Sequence, residues 1–119
     1  AAALNEGLAG AAGVITPLVP AGRTHVYHQY TIRFEGATSA ERDRIQAVLK
    51  DEWQIGTGVY YPIPNHRLTS LAPYARGVEL PGTEKAAREC LSLPVHPSLS
   101  PADVGRIVEA VVATMSAGA

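Results

Sequence analysis

Two adjacent tyrosines and a histidine fall within Gly56–His66, which reads G-T-G-V-Y-Y-P-I-P-N-H. Tyrosine rings can stack on a sugar or a base while their hydroxyls hydrogen-bond to it. An imidazole nearby can bond a sugar hydroxyl or a phosphate. Pro62 and Pro64 stiffen the segment, because proline lacks the N–H of a sheet ladder and forces the preceding residue to be extended. The expectation is a short strand, Val59-Tyr60-Tyr61, running into a rigid loop that His66 closes. Rigid loops presenting polar tips are where binding residues concentrate. A plainer reading stands beside it: a proline-rich turn whose tyrosines cover a core edge and whose histidine faces solvent.

Other chemistries find less support. The chain has four histidines, but His25 and His28 alternate along one extended run and cannot share a metal. His66 and His96 sit near prolines in loops, and no ligand set for a metal is expected. No G-x-S-x-G and no glycine-rich phosphate loop occurs. The lysines, Lys50 and Lys85, adjoin Asp51 and Glu84 on charged helix faces. Hydrated, protonated lysines make poor Schiff-base formers. Cys90 is the single cysteine, which excludes an internal disulfide and a C-x-x-C motif. One free thiol suits a reducing cytoplasm. Its place on the inner side of a helical pattern suggests a small buried hydrophobe.

Elements must position the candidate residues. A chain of 119 residues, 46% hydrophobic and 18% charged, fits one globular domain. A net charge of −1 gives no electrostatic case for nucleic acid or an anionic membrane. No apolar run approaches the roughly 20 residues of a membrane helix, and no signal peptide is read. Residues 1–13 read as a frayed helical remnant ending at Gly10 or Gly13, and Val14–Gly22 as an extended linker with Pro17 and Pro20. Thr24–Phe34 reads as a strand with Val26, His28, Tyr30, Ile32 and Phe34 on the core face and His25, Tyr27, Gln29, Thr31 and Arg33 opposite. Thr38-Ser39-Ala40-Glu41 opens a helix with a capping box. Its Ile45, Val48 and Leu49 form the apolar stripe, Glu41–Arg44 a solvated face, and Trp53 packs at its end. A long loop, 67–82, with at most one helical turn precedes a short helix that Thr83 caps and that runs to Leu91. Ser92-Leu93-Pro94 is extended. Ser100-Pro101-Ala102-Asp103 starts a last helix, with Val104, Ile107, Val108, Val111, Val112 and Met115 toward the core. The order predicts an α+β fold, helices on one face of a small sheet.

Three segments carry a family resemblance: His25-Val26-Tyr27-His28-Gln29-Tyr30, Ile55-Gly56-Thr57-Gly58-Val59-Tyr60-Tyr61-Pro62 and Ala86-Ala87-Arg88-Glu89-Cys90-Leu91-Ser92-Leu93-Pro94. In this order and spacing they resemble the C-terminal part of the DegT/DnrJ/EryC1/StrS aminotransferases. Those enzymes use pyridoxal phosphate to move an amino group, from glutamate, onto a nucleotide-linked keto-sugar. The resemblance covers nearly the whole chain. It implies a linking-helix remnant and linker at 1–22 and the small C-terminal domain at 23–119. The family's larger portion carries the Schiff-base lysine, the carboxylate and the phosphate cup. This chain alone is therefore expected to bind no cofactor and to be inactive. The implied partners are that larger domain, a nucleotide-sugar substrate and, in the whole enzyme, a second copy as homodimer. The implied substrate-binding residues are Tyr60, Tyr61 and His66 in the loop, with His28 beneath them on the strand. Two departures stand out: Asn65, where the family often has an apolar residue, and Trp53-Gln54 at a helix end that usually carries a small residue or glycine. The competing reading is a stand-alone α+β binding or assembly module without catalysis.

Overall fold

The computed structural model describes residues 1–118. Its elements are α1 (Ala2–Leu8), β1 (Val14–Ile15), β2 (Tyr30–Phe34), α2 (Ser39–Asp51), α3 (Pro81–Glu89), β3 (Cys90–Leu93) and α4 (Pro101–Ala117), with 3-10 turns at Asn65–Arg67 and Thr69–Leu71. The three strands form one antiparallel sheet in the order β1-β2-β3. The α+β class follows.

The alternation of β2 sets the layers. Tyr30, Ile32 and Phe34 are buried on one face, joined by Leu91 and Leu93 of β3. Leu4 and Leu8 of α1, Ile45 and Leu49 of α2, and Ile107, Ala110 and Val111 of α4 complete that core. The opposite face carries Thr31, Arg33, Cys90 and Ser92, whose register pairs Thr31 with Ser92 and Arg33 with Cys90. Side-chain hydroxyls of Thr31 and Ser92 lie 2.7 Å apart across that pair. This polar face is the one that α3 and the tyrosine loop border.

The capping box at Thr38–Glu41 forms as the sequence predicts, and the helix start predicted at Ser100 closes as a second box. Thr38 Oγ1 accepts from the Glu41 N–H while Glu41 accepts from the Thr38 N–H, and Ser100 and Asp103 repeat the arrangement. Trp53 packs against the core edge. The helix end beyond it is solved without glycine: Gln54 takes the left-handed conformation (φ 57°). Its side chain donates to the Asp51 carbonyl at 2.9 Å, and the Ile55 N–H reaches Leu49 O at 2.8 Å.

Several expectations give way. The strand begins at Tyr30, not Thr24, because Tyr27 turns to a left-handed φ of 49°. That reverses the side-chain alternation: Tyr27 packs inward against the core, while Val26 is 91% exposed. The stretch Val14–Gly22 is not wholly linker, since Val14 and Ile15 pair with Phe34 and Arg33. Nor is α1 frayed, because Leu4 and Leu8 are buried and Gly7 lies against Val108; a Cβ there would sit 2.7 Å from its methyl. Residues 1–22 thus share the core of 23–119. The helix α3 starts at Pro81, with Leu80 rather than Thr83 at its cap position, and ends at Glu89. Arg42 was placed on a solvated face but is buried, donating to the Ala87 carbonyl at 2.8 Å. Val112 is exposed, and Thr114 takes the inward place, its hydroxyl bonded to Ala110 O. Val59–Tyr61 is no strand; a single bridge, Gly58 to Ser92, ties the segment to β3.

Candidate functional site

The polar face of the sheet is the floor of a cleft of about 570 Å³, within the roughly 300–1,000 Å³ of small-molecule sites. Gln29, Thr31, Cys90 and Ser92 form the floor, and Leu80, Thr83, Ala86 and Ala87 of α3 one wall. The opposite wall is Gly58–Tyr61, and Pro64, Asn65 and His66 close the end. The small side chains of Ala86 and Ala87 keep the cleft open, and the Gly58–Ser92 bridge holds the tyrosine segment along the sheet edge.

Tyr60 and Tyr61 sit on the wall as adjacent aromatic residues, 60% and 74% exposed. The Tyr60 ring folds back on Gly58, where a Cβ would meet its Cε2 at 3.0 Å. A side chain there would displace the exposed ring by a few tenths of an ångström, so the glycine lets the ring lie close to the backbone.

His66 lies in the 3-10 turn that Pro64 initiates, with the Arg67 N–H on Pro64 O at 2.8 Å. It is not the solvent-facing loop histidine of the plainer reading: its side chain is only 5% exposed, although Asn65 beside it is exposed. Its Nε2 is 2.9 Å from Glu84 Oε1. Arg67 donates to the same oxygen from Nη2 at 2.6 Å and Nε at 3.0 Å. The hydrogen bond from His66, then that from Arg67, holds the Glu84 carboxyl below the usual carboxylate range. Nδ1 of His66 is buried with no hydrogen-bond partner.

His28 falls elsewhere. It is exposed, on the bend before β2 rather than beneath the loop on a strand. It lines a smaller, more polar cleft of about 270 Å³ together with Thr57 and Pro94. Gln29, Gly58, Tyr60 and Ser92 border both clefts, so Tyr60 separates them. The structure therefore brings Tyr60, Tyr61 and His66 together and leaves His28 next door. Cys90 is no helical hydrophobe: it opens β3, half-buried on the cleft floor, where burial pushes its thiol pKa up.

Sequence reasoning passed over Glu84, Arg67 and Ser92, and placed Thr31 on the polar face without a role at the site. Glu84 was read only as a neighbour of Lys85, although an acid in a first helical turn eighteen residues from a loop histidine is compatible with pairing. Among the described residues no group of three His, Cys, Asp or Glu could hold a metal ion. No helix among them is long and apolar enough to cross a membrane.

Comparison with known proteins places this geometry in context. The model of the DegT/DnrJ/EryC1/StrS aminotransferase family matches residues 1–112. A pleiotropic regulatory protein of Geobacillus stearothermophilus is 45% identical over 100 residues, 82% of this chain and 25% of the relative. The UDP-N-acetyl-3-dehydro-alpha-D-glucosamine 3-aminotransferase of Acidithiobacillus ferrooxidans is 34% identical over 96% of this chain and 32% of its own length. Among solved structures, Spr1654 of Streptococcus pneumoniae, assigned as a sugar aminotransferase and solved in its PLP form, superposes with a TM-score of 0.81. It is 25% identical over 98% of this chain and 29% of that one. The chain thus spans about a quarter to a third of the length of these proteins.

Proposed function

Because the chain belongs to the DegT/DnrJ/EryC1/StrS aminotransferase family, we propose that it is the C-terminal, substrate-receiving domain of an enzyme that aminates a nucleotide-linked keto-sugar. The amino donor is glutamate, and the working enzyme is a homodimer. The observation that carries this reading is the cleft itself. Two exposed tyrosine rings and a buried, half-satisfied histidine face a polar sheet floor. Aromatic faces suit a base or sugar ring, and the hydroxyl floor suits polar substituents.

The residues present do not fit pyridoxal phosphate. Lys50 and Lys85 are both exposed, and neither lines either cleft. Among the described residues no carboxylate lines either cleft, and Glu84, the partner of the cleft residue His66, is already committed to His66 and Arg67. The cofactor, which supplies the amino-group chemistry, belongs to the remaining part of a longer protein, and the chain alone is inactive. The relative named as a regulatory protein favours a second reading, a binding module that uses the same cleft without catalysis.

The assay mixes the chain with pyridoxal phosphate, glutamate and a UDP-linked 3-keto-hexose. No 2-oxoglutarate is expected above the cofactor-only control, while calorimetry with UDP-glucose should register binding. Turnover well above the control would overturn the division of labour, and absence of any heat of binding would overturn the substrate-receiving role.

A further inference from the structure

His66 is enclosed, yet only one of its ring nitrogens is satisfied: Nε2 meets Glu84, while Nδ1 is buried and unpartnered. Buried polar atoms in folded proteins are nearly always paired, so such an exception asks for an explanation. Within the cleft wall, the explanation offered by the geometry is a missing ligand group.

Glu84 decides which group that is. An ionised carboxylate only accepts hydrogen bonds, so the Nε2 that faces it carries the hydrogen. In the neutral ring Nδ1 is then a bare lone pair. The two Arg67 nitrogens on the same Glu84 oxygen balance the carboxylate charge and fix its position. Resting on the nucleotide-sugar reading, we infer that Glu84 is a positioning residue: with Arg67 it pins His66 as the Nε2–H tautomer, so that Nδ1 accepts a hydrogen bond from a hydroxyl of the ligand in the cleft. Nδ1 is sealed from water in the free chain, so the hydroxyl reaches it only when the groups enclosing it move aside. A purely structural Glu84, tying the loop to α3, would fix the same tautomer, so the response of Nδ1 to ligand, rather than the tautomer alone, separates the two roles.

The test uses the ¹⁵N-labelled 119-residue chain and long-range imidazole ¹H–¹⁵N spectra, with UDP-glucose and UDP as separate probes. The free protein should show His66 Nδ1 unprotonated and Nε2 protonated, and saturation with UDP-glucose should shift Nδ1. Should UDP shift it equally, the ribose supplies the hydroxyl; should UDP leave it still, the hexose does; both support the acceptor role. E84A should mix the tautomers and weaken UDP-glucose about fivefold to tenfold, the scale of one net hydrogen bond. E84Q keeps an acceptor oxygen and should retain the tautomer and bind within about twofold of wild type. If E84A does not fold, the wild-type and E84Q spectra still decide. A protonated or mixed Nδ1 in the wild type overturns the inference, as does undiminished binding by a folded E84A. If Nδ1 stays still at saturation while the Tyr60 and Tyr61 amides shift, the inference fails and the nucleotide-sugar reading stands. If no resonance responds to either probe, that reading falls and this inference with it.

Discussion

Replacing Tyr30 by alanine is expected to destabilise the chain by about 3–5 kcal/mol, the range for emptying a large aromatic position in a core. Tyr30 is fully buried at the centre of the sheet, stacked on Tyr27 with ring centroids 5.9 Å apart. Its hydroxyl donates to Asn5 Oδ1 at 2.5 Å, which ties α1 to β2. Against a typical total of about 5–15 kcal/mol, most of the stability could go with this one ring. Tyr30→Phe keeps the ring and should cost only about 1 kcal/mol. The same residue gives an alkaline signature. Burial, with a smaller contribution from Tyr27, pushes the Tyr30 phenol up to about 12. A raised pKa means the unfolded chain loses this proton first. The stability is therefore complete below about pH 10, the phenol's ordinary pKa, and drains as the pH climbs toward about 12. Urea melts across that window should show the decline in wild type and a shallower one in Tyr30→Phe. A Tyr30→Ala protein within 1 kcal/mol of wild type would contradict the packing described here.

The second large effect concerns ligand rather than fold. Converting Tyr60 and Tyr61 together to alanine should weaken UDP-glucose binding by about 2 kcal/mol, roughly thirtyfold, the scale of stacking one base or sugar ring on an aromatic face. Both rings are largely exposed and make no side-chain hydrogen bond in the free chain, so the melting transition should move by no more than about 0.5 kcal/mol. Calorimetric titration beside a urea melt separates the two outcomes. A dissociation constant within threefold of wild type would remove the tyrosines from the site.

The parts of the fold that were legible are those decided within a few residues. The Thr38–Glu41 box, and the Ser100 cap with Pro101 and the first-turn Asp103, lie within three residues, so the starts of α2 and α4 could be read directly. The core face of β2 was legible from Tyr30 onward for the same reason: alternation is a local property. It failed upstream because Tyr27 is held by Asn5, 22 residues away, together with a left-handed backbone turn that no periodicity announces. Carrying the alternation through that turn put His28 on the core face, whereas it is exposed. Arg42 shows the same limit. Among Glu41, Asp43 and Arg44 it looks solvated, and only the Ala87 carbonyl, 45 residues away in sequence, draws it inside. At the site, the tyrosine loop stood out because prolines and aromatics are conspicuous. Its supports did not. Glu84 reaches His66 across eighteen residues, and the cleft floor exists only where β2 and β3 pair Thr31 with Ser92. Cys90 was misplaced because α3 ends two residues earlier than the expected Leu91, handing the cysteine to the strand.

The central claim is that this domain receives substrate for a cofactor held elsewhere in the same protein. Its most direct test is the intact mass and absorbance of the natural product of this coding region, purified from its native host. The chain is 12.5 kDa and spans 25–32% of its relatives, so the account expects a product about three to four times heavier, carrying the absorbance of bound pyridoxal phosphate. A product near 12.5 kDa without that chromophore would contradict it and leave a binding module built on the same cleft.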